Sequence, residues 1–104
     1  MIKTFSSDVT AANGAIAVVS AVIGIADKTR RIIGVAAEIT AGVRTYGTIG
    51  QETIVDAAQD CDYFISNMVP VDHVLQVGEE FKAGVYNTSG GETTSHITVI
   101  YEEI

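Results

Sequence analysis

Hydrophobic and polar residues alternate with period two along several short runs of this chain, and each run is closed by turn-forming residues. Side chains on a strand point to alternate faces, so such runs read as strands. Ile2 to Thr10 sets Ile2, Thr4 and Ser6 against Lys3, Phe5 and Ser7 until Asp8 breaks the pattern. Ala11-Ala12-Asn13-Gly14 follows as a turn, Asn-Gly being a favoured turn dipeptide. Val43 to Ile49 sets Val43, Thr45, Gly47 and Ile49 against Arg44, Tyr46 and Thr48. The clearest pattern lies in Val74 to Ile104. Phe81, Ala83 and Val85 share one face there, as do Ile97, Val99 and Tyr101 beyond Asn87-Thr88-Ser89-Gly90-Gly91-Glu92. Paired glycines between alternating runs predict a β-hairpin.

Two other runs are apolar at nearly every position. Ala15 to Ala26 reads A-I-A-V-V-S-A-V-I-G-I-A, and Arg30 to Ile39 reads R-R-I-I-G-V-A-A-E-I. Period alone does not separate helix from strand here. The β-branched residues and Gly24 favour strands, and a run apolar on both faces predicts a central strand covered on both sides. The two runs are expected to pair as a second hairpin about Asp27-Lys28-Thr29. They carry more apolar surface than one core needs, which makes Ile16, Val18, Val19, Val22, Ile23, Ile32, Ile33 and Val35 candidates for a subunit interface. Val9 to Ala26 is uncharged and admits a second reading, a membrane or filament-core helix, but its strongly apolar part falls short of the roughly 20 residues a span needs.

Gln51 to Asp60 fits either a short helix, with Ile54, Ala57 and Ala58 on one face, or a strand and a loop. Cys61 to Val69 alternates as a strand. Pro70 marks an edge or a break, because proline cannot donate to a ladder. Val71 to Val77 is a further short run, closed by a turn at Gly78-Glu79. The sum is seven or eight strands at short, regular spacing. That is the mark of an all-β, antiparallel two-sheet sandwich or a barrel in a single domain spanning residues 1–104.

Composition narrows this picture. The chain has 104 residues, 47% of them hydrophobic and only 7% aromatic, so its core is built mainly from Val, Ile and Ala. Six basic against 13 acidic residues give a net charge of −7, which repels phosphate backbones and speaks against direct nucleic-acid binding. The one basic cluster, Lys28, Arg30 and Arg31, reads as a solvated turn. Met1-Ile2-Lys3 is not followed by the apolar segment of a signal peptide. Cys61 is the only cysteine, so no intrachain disulfide forms, and it reads as a small buried hydrophobe.

Candidate chemistry is sparse. The chain contains no phosphate-binding glycine loop, dinucleotide fingerprint, zinc-protease helix or nucleophile elbow. Asp56, Asp60, Asp62 and Asp72 lack the glycine turn and bidentate glutamate of a calcium loop and read as solvated acids. His73, His96 and Cys61 are enough in number for a zinc site but have no local ligand pair, and His73 and His96 with acids around a metal would suit a small cupin-like enzyme. Glu79-Glu80 and Glu102-Glu103 are adjacent on strands and point apart, so neither doublet is a glycosidase pair. Tyr46, Tyr63, Tyr86 and Tyr101 are either core-edge residues or a platform for stacking sugars.

The ending V-G-E-E-F-K-A-G-V-Y-N-T-S-G-G, followed by I-T-V-I-Y-E-E, resembles the closing strands of small jelly-roll domains. Such domains are found in virion capsid and capsid-decoration proteins and in some surface-binding modules. The resemblance covers Val74 to Glu103. It implies a jelly roll of eight strands that assembles through its sheet faces and strand edges. No functional residues carry over, since these proteins have no catalytic motif to match. The expectation is therefore a non-enzymatic, self-assembling structural protein of the virion, without cofactor or metal. Its partners are copies of itself or other virion subunits, and not a membrane. The alternative is a β-sandwich module that binds glycans or a surface partner.

Overall fold

A computed structural model describes residues 1–37, 42–58 and 68–104, the side chain of Ala58 excepted. The described residues form eight strands: β1 (Ile2–Ala11), β2 (Ile16–Ile23), β3 (Arg30–Ala37), β4 (Val43–Ile49), β5 (Glu52–Ala58), β6 (Val69–Val74), β7 (Glu80–Asn87) and β8 (Thr93–Glu103). They build two antiparallel sheets of four strands, in the orders β1-β8-β3-β6 and β2-β7-β4-β5. The expected all-β, two-sheet sandwich is what forms. β1 pairs with β8, β2 with β7, β3 with β6 and β4 with β5.

The sheets close on a core of inward-facing residues. Phe81, Ile32, Ile97, Val35, Val85 and Val99 are fully enclosed, with Val9, Val22, Val43 and Val55 around them. The alternation that defines these strands in the sequence sorts correctly between inside and outside. Phe81, Ala83 and Val85 are buried, whereas Lys82 is exposed. Gly47 makes room for the largest core side chain, since a Cβ there would stand 3.1 Å from the Phe81 ring.

Strand pairing departs from the sequence expectation in both apolar regions. β7 and β8 face the same core but belong to different sheets, so the run from Asn87 to Glu92 joins the sheets and does not close a hairpin. The cause lies in Asn87, which is wholly buried at the crossing. Its Oδ1 accepts the Ser89 N–H (2.9 Å) and hydroxyl (2.6 Å). Its Nδ2 donates to the Ala11 and Gly91 carbonyls at 2.9 and 2.6 Å. These bonds turn the chain toward β1, and β8 then takes β1 as its neighbour, with Asp8 opposite His96. The second expected hairpin is also absent: β2 pairs with β7, and β3 lies in the other sheet between β8 and β6. β2 is an edge strand, and its apolar content serves the core on one face only.

Several local readings of the sequence are decided by the strands and turns that form. β5 is a strand, which decides between the two readings of Gln51 to Asp60 as far as Ala58. Pro70 sits on β6, an edge strand, opposite Gly34. Gly14 and Gly78 turn the chain with φ of 78° and 85°. Among the described residues no helix is long and apolar enough to cross a membrane. Ile39, Asp60, Cys61, Asp62, Tyr63 and the strand expected from Cys61 lie outside the described residues, up to Asn67.

Candidate functional site

β1, β3, β5 and β7 start at one end of the sandwich, and β2, β4, β6 and β8 finish there. This end is tied together through its backbone. Thr29 and Ile104 exchange N–H···O bonds of 3.1 and 3.0 Å, Leu75 donates to Arg30 at 2.9 Å, and Gly24 donates to Glu79 at 2.8 Å. At its centre Glu103 points inward from β8 with a side chain only 5% exposed. Lys3 Nζ (2.9 Å), Arg30 NH2 (2.9 Å) and Lys28 Nζ (3.6 Å) surround the carboxylate. Hydrogen bonds from Lys3 and then from Arg30 hold its pKa down to about 2. Arg30 also lies 5.9 Å over the Tyr101 ring and donates to the Ile23 carbonyl at 2.9 Å. The basic cluster expected to be a solvated turn is thus largely a structural clamp, with Arg31 reaching out to Asp72 at 3.0 Å and Glu102 at 3.7 Å.

Around this clamp exposed apolar side chains gather among polar ones. Of the eight exposed large hydrophobic residues among the described ones, seven lie at this end: Met1, Ile2, Ile23, Ile25, Val74, Val77 and Ile104. Val77, in the turn before β7, is 70% exposed. Two open clefts flank it. One of about 500 Å³ is lined by Ile49, Gly50, Val77, Glu79, Glu80 and Lys82. The other, of about 310 Å³, runs between the Ile25–Thr29 loop and Val74–Val77. Glu79 accepts the Gln76 N–H at 2.8 Å and meets His73 Nε2 at 3.2 Å. The Gln76 bond first, and then His73, hold the Glu79 carboxyl below the usual range.

The eight residues singled out in the sequence as interface candidates separate in the structure. Val22, Ile32 and Val35 lie in the chain's own core, and Val19 packs against it. Val18 and Ile33 are half-buried, and only Ile16 and Ile23 are exposed. A strand apolar on both faces does not announce which face the second sheet will cover. Ile25, Val74 and Val77 were not among the candidates. Only Val77 carried a signal, standing beside the Gly78 turn, where a core has no reason to reach.

The outer face of the second sheet brings two of the tyrosines together. Tyr86 stands opposite Ile16 and Arg44, and Tyr46 stands opposite Gly84 and Asp56. Arg44 is held by Asp56 at 2.6 Å, and the Tyr46 and Thr53 hydroxyls bond at 2.7 Å. Tyr101 faces inward and packs against the core. Tyr63 lies outside the described residues.

His96 Nδ1 meets Asp8 at 2.8 Å on β1, whereas His73 meets Glu79 at the apolar end. Among the described residues no three His, Cys, Asp or Glu side chains come together to hold a metal ion. Asp56 and Asp72 each face an arginine. Comparison with protein-family models, with curated proteins and with solved structures finds no match to this chain.

Proposed function

We propose that this protein is a non-enzymatic structural subunit that assembles with copies of itself, of the kind that builds or decorates a capsid. The observation that carries the reading is the apolar end of the sandwich, where seven large hydrophobic residues stand in solvent around the Glu103 clamp. Scattered single apolar residues are ordinary on a protein surface, but a group gathered at one place marks a contact. The clamp suits this role, because it locks the strand ends beneath the patch and lowers the entropy cost of docking. The strand order supports reading the sandwich as a jelly roll, since a single rolled hairpin is how that architecture is built. The net charge of −7 adds long-range repulsion between copies, so assembly should strengthen as salt rises. Sedimentation at rising concentration and salt tests the proposal. A population heavier than the monomer, reduced by Val77→Asp, is the expected result. A single monomeric species throughout overturns it.

A second reading is favoured by Tyr46 and Tyr86, which sit on neighbouring strands of one outward face. Two tyrosines at diagonal positions beside the Arg44–Asp56 ion pair suit stacking of a sugar ring, with polar groups ready for its hydroxyls. Glycan-array binding that is lost in Tyr46→Ala and Tyr86→Ala supports this module, and a blank array removes it.

A further inference from the structure

Among the described residues four strands edge the two sheets, β1 and β6 in one and β2 and β5 in the other. Three of them are irregular. β2 carries an extra residue, Ala21, between the Ser20–Lys82 and Val22–Phe81 pairs. β5 carries Ile54 between the Val55–Gly47 and Thr53–Thr48 pairs. β6 is shifted between His73 and Pro70, and Pro70 has no N–H to offer. Bulges and prolines are the usual protections of an edge against pairing with another chain. β1 has neither. Its ten residues run against β8 in one unbroken register, from Ile2–Glu102 to Ala11–Thr93.

The phase of this ladder determines what β1 shows to the outside. Met1 and Glu103 exchange both backbone bonds, each 2.8 Å. Antiparallel pairs alternate between bonded and non-bonded, so the odd-numbered residues of β1 turn their N–H and C=O toward β8. The even-numbered residues, Ile2, Thr4, Ser6, Asp8 and Thr10, turn theirs to the open edge.

We propose that β1 is the self-pairing edge of this protein: two copies join their β1 strands antiparallel about a twofold axis at Ser6. In that register Ser6 meets Ser6, Thr4 meets Asp8, and Ile2 meets Thr10 of the second copy. All five open positions are used, giving about ten inter-chain hydrogen bonds. Twofold axes at Phe5 or Ser7 leave one of the end positions unpaired, and about eight bonds remain. An axis at Lys3 or Asp8 sets like charges against each other, which costs stability. The Ser6 register brings Lys3 beside Val9 and keeps the core faces of the two sandwiches on the same side of the joined sheet. The result is one continuous sheet of about eight strands, an isologous contact that closes at two copies. The proposal rests on the self-assembly reading and names its first step, with the apolar ends free for further contacts.

Cross-linking tests the register. In a Cys61→Ser background, Ser6→Cys places two thiols on the axis, at the roughly 5.5 Å Cα separation of a bonded pair, within disulfide reach. Mild oxidation should convert most of this variant to covalent dimer on a non-reducing gel, while Thr94→Cys in the same background stays single. Thr4→Pro is the second arm. The Thr4 N–H points to the open edge, so proline removes an inter-chain donor and no β1–β8 bond. Sedimentation of this variant should show at least a tenfold weaker dimer with an unchanged circular dichroism spectrum. Oligomeric parent protein with no Ser6→Cys dimer overturns the β1 edge and leaves self-assembly standing. Parent protein that is monomeric at every concentration overturns both.

Discussion

Replacing Asn87 with alanine tests the device that routes the chain from one sheet to the other. Asn87 has no exposed surface, and all four bonding positions of its amide are used. The amide orientation is forced, because the Ser89 backbone N–H requires an acceptor, and that places Oδ1 there. Alanine strands the partners unequally. Ser89 and Gly91 are exposed, so water takes over their bonds, at a net loss of about 0.5 kcal/mol each. The bond to the Ala11 carbonyl is buried, and although that carbonyl keeps its ladder bond from the Thr93 N–H, losing a buried bond costs about 1.5 kcal/mol. The three outer bonds and the buried one together give a loss of about 3 kcal/mol. In a domain of this size that lowers Tm by about 12 °C or more. Urea unfolding followed by circular dichroism measures it as a lower midpoint with an unchanged slope. Asn87→Asp sharpens the test. Its carboxylate would face two carbonyl oxygens, so its folded pKa is raised above the unfolded value. The aspartate variant should be least stable at neutral pH and recover part of the loss in acid. A cost below about 1 kcal/mol for the alanine variant, with no acid recovery in the aspartate one, would refute the account.

Glu103 should make stability pH-dependent: its folded pKa is depressed, so its contribution is complete above the ordinary value of 4.5 and is lost as pH falls toward about 2. Thermal melts of Glu103→Gln against the parent should show a gap at neutral pH that closes through that window, and a gap independent of pH would count against the clamp. Gly84→Ala should unpair β2 from β7, because the added Cβ would stand 1.9 Å from the Ala17 carbonyl oxygen. Its cost should reach the upper end of the roughly 1–3 kcal/mol of overpacking, with hydrogen exchange accelerated along β2, and a near-neutral result would contradict that close approach. Ser95 is fully buried, and its hydroxyl has no partner among the described residues. Ser95→Ala should therefore raise stability by about 1 kcal/mol, and a clear loss would reveal a bond from elsewhere.

Local pattern and long-range pairing separated cleanly in this protein. The alternation of Val43 to Ile49, of Phe81 to Val85 and of Ile97 to Tyr101 determined by itself that these segments are strands and which side chains face the core. Asn13-Gly14 and Gly78 likewise marked turns that the chain makes. That information is legible because burying every second side chain is a property of a few neighbouring residues. The choice of partner strand is not. Backbone hydrogen bonds are alike for any neighbour, so an apolar run followed by glycines suits a hairpin and a crossing between sheets equally well. Only the tertiary structure decided that Asn87 turns β8 away from β7, and that β2 lies at an edge with Val22 inside and Ile23 outside. The same holds for the surface. Ile25, Val74 and Val77 became part of an apolar patch when the fold gathered Met1 and Ile2, Ile23 and Ile25, Val74 and Val77, and Ile104 at one end. Lys3, Lys28 and Arg30 became a clamp when β1 and β3 came to flank β8, placing three cations from distant positions around one carboxylate.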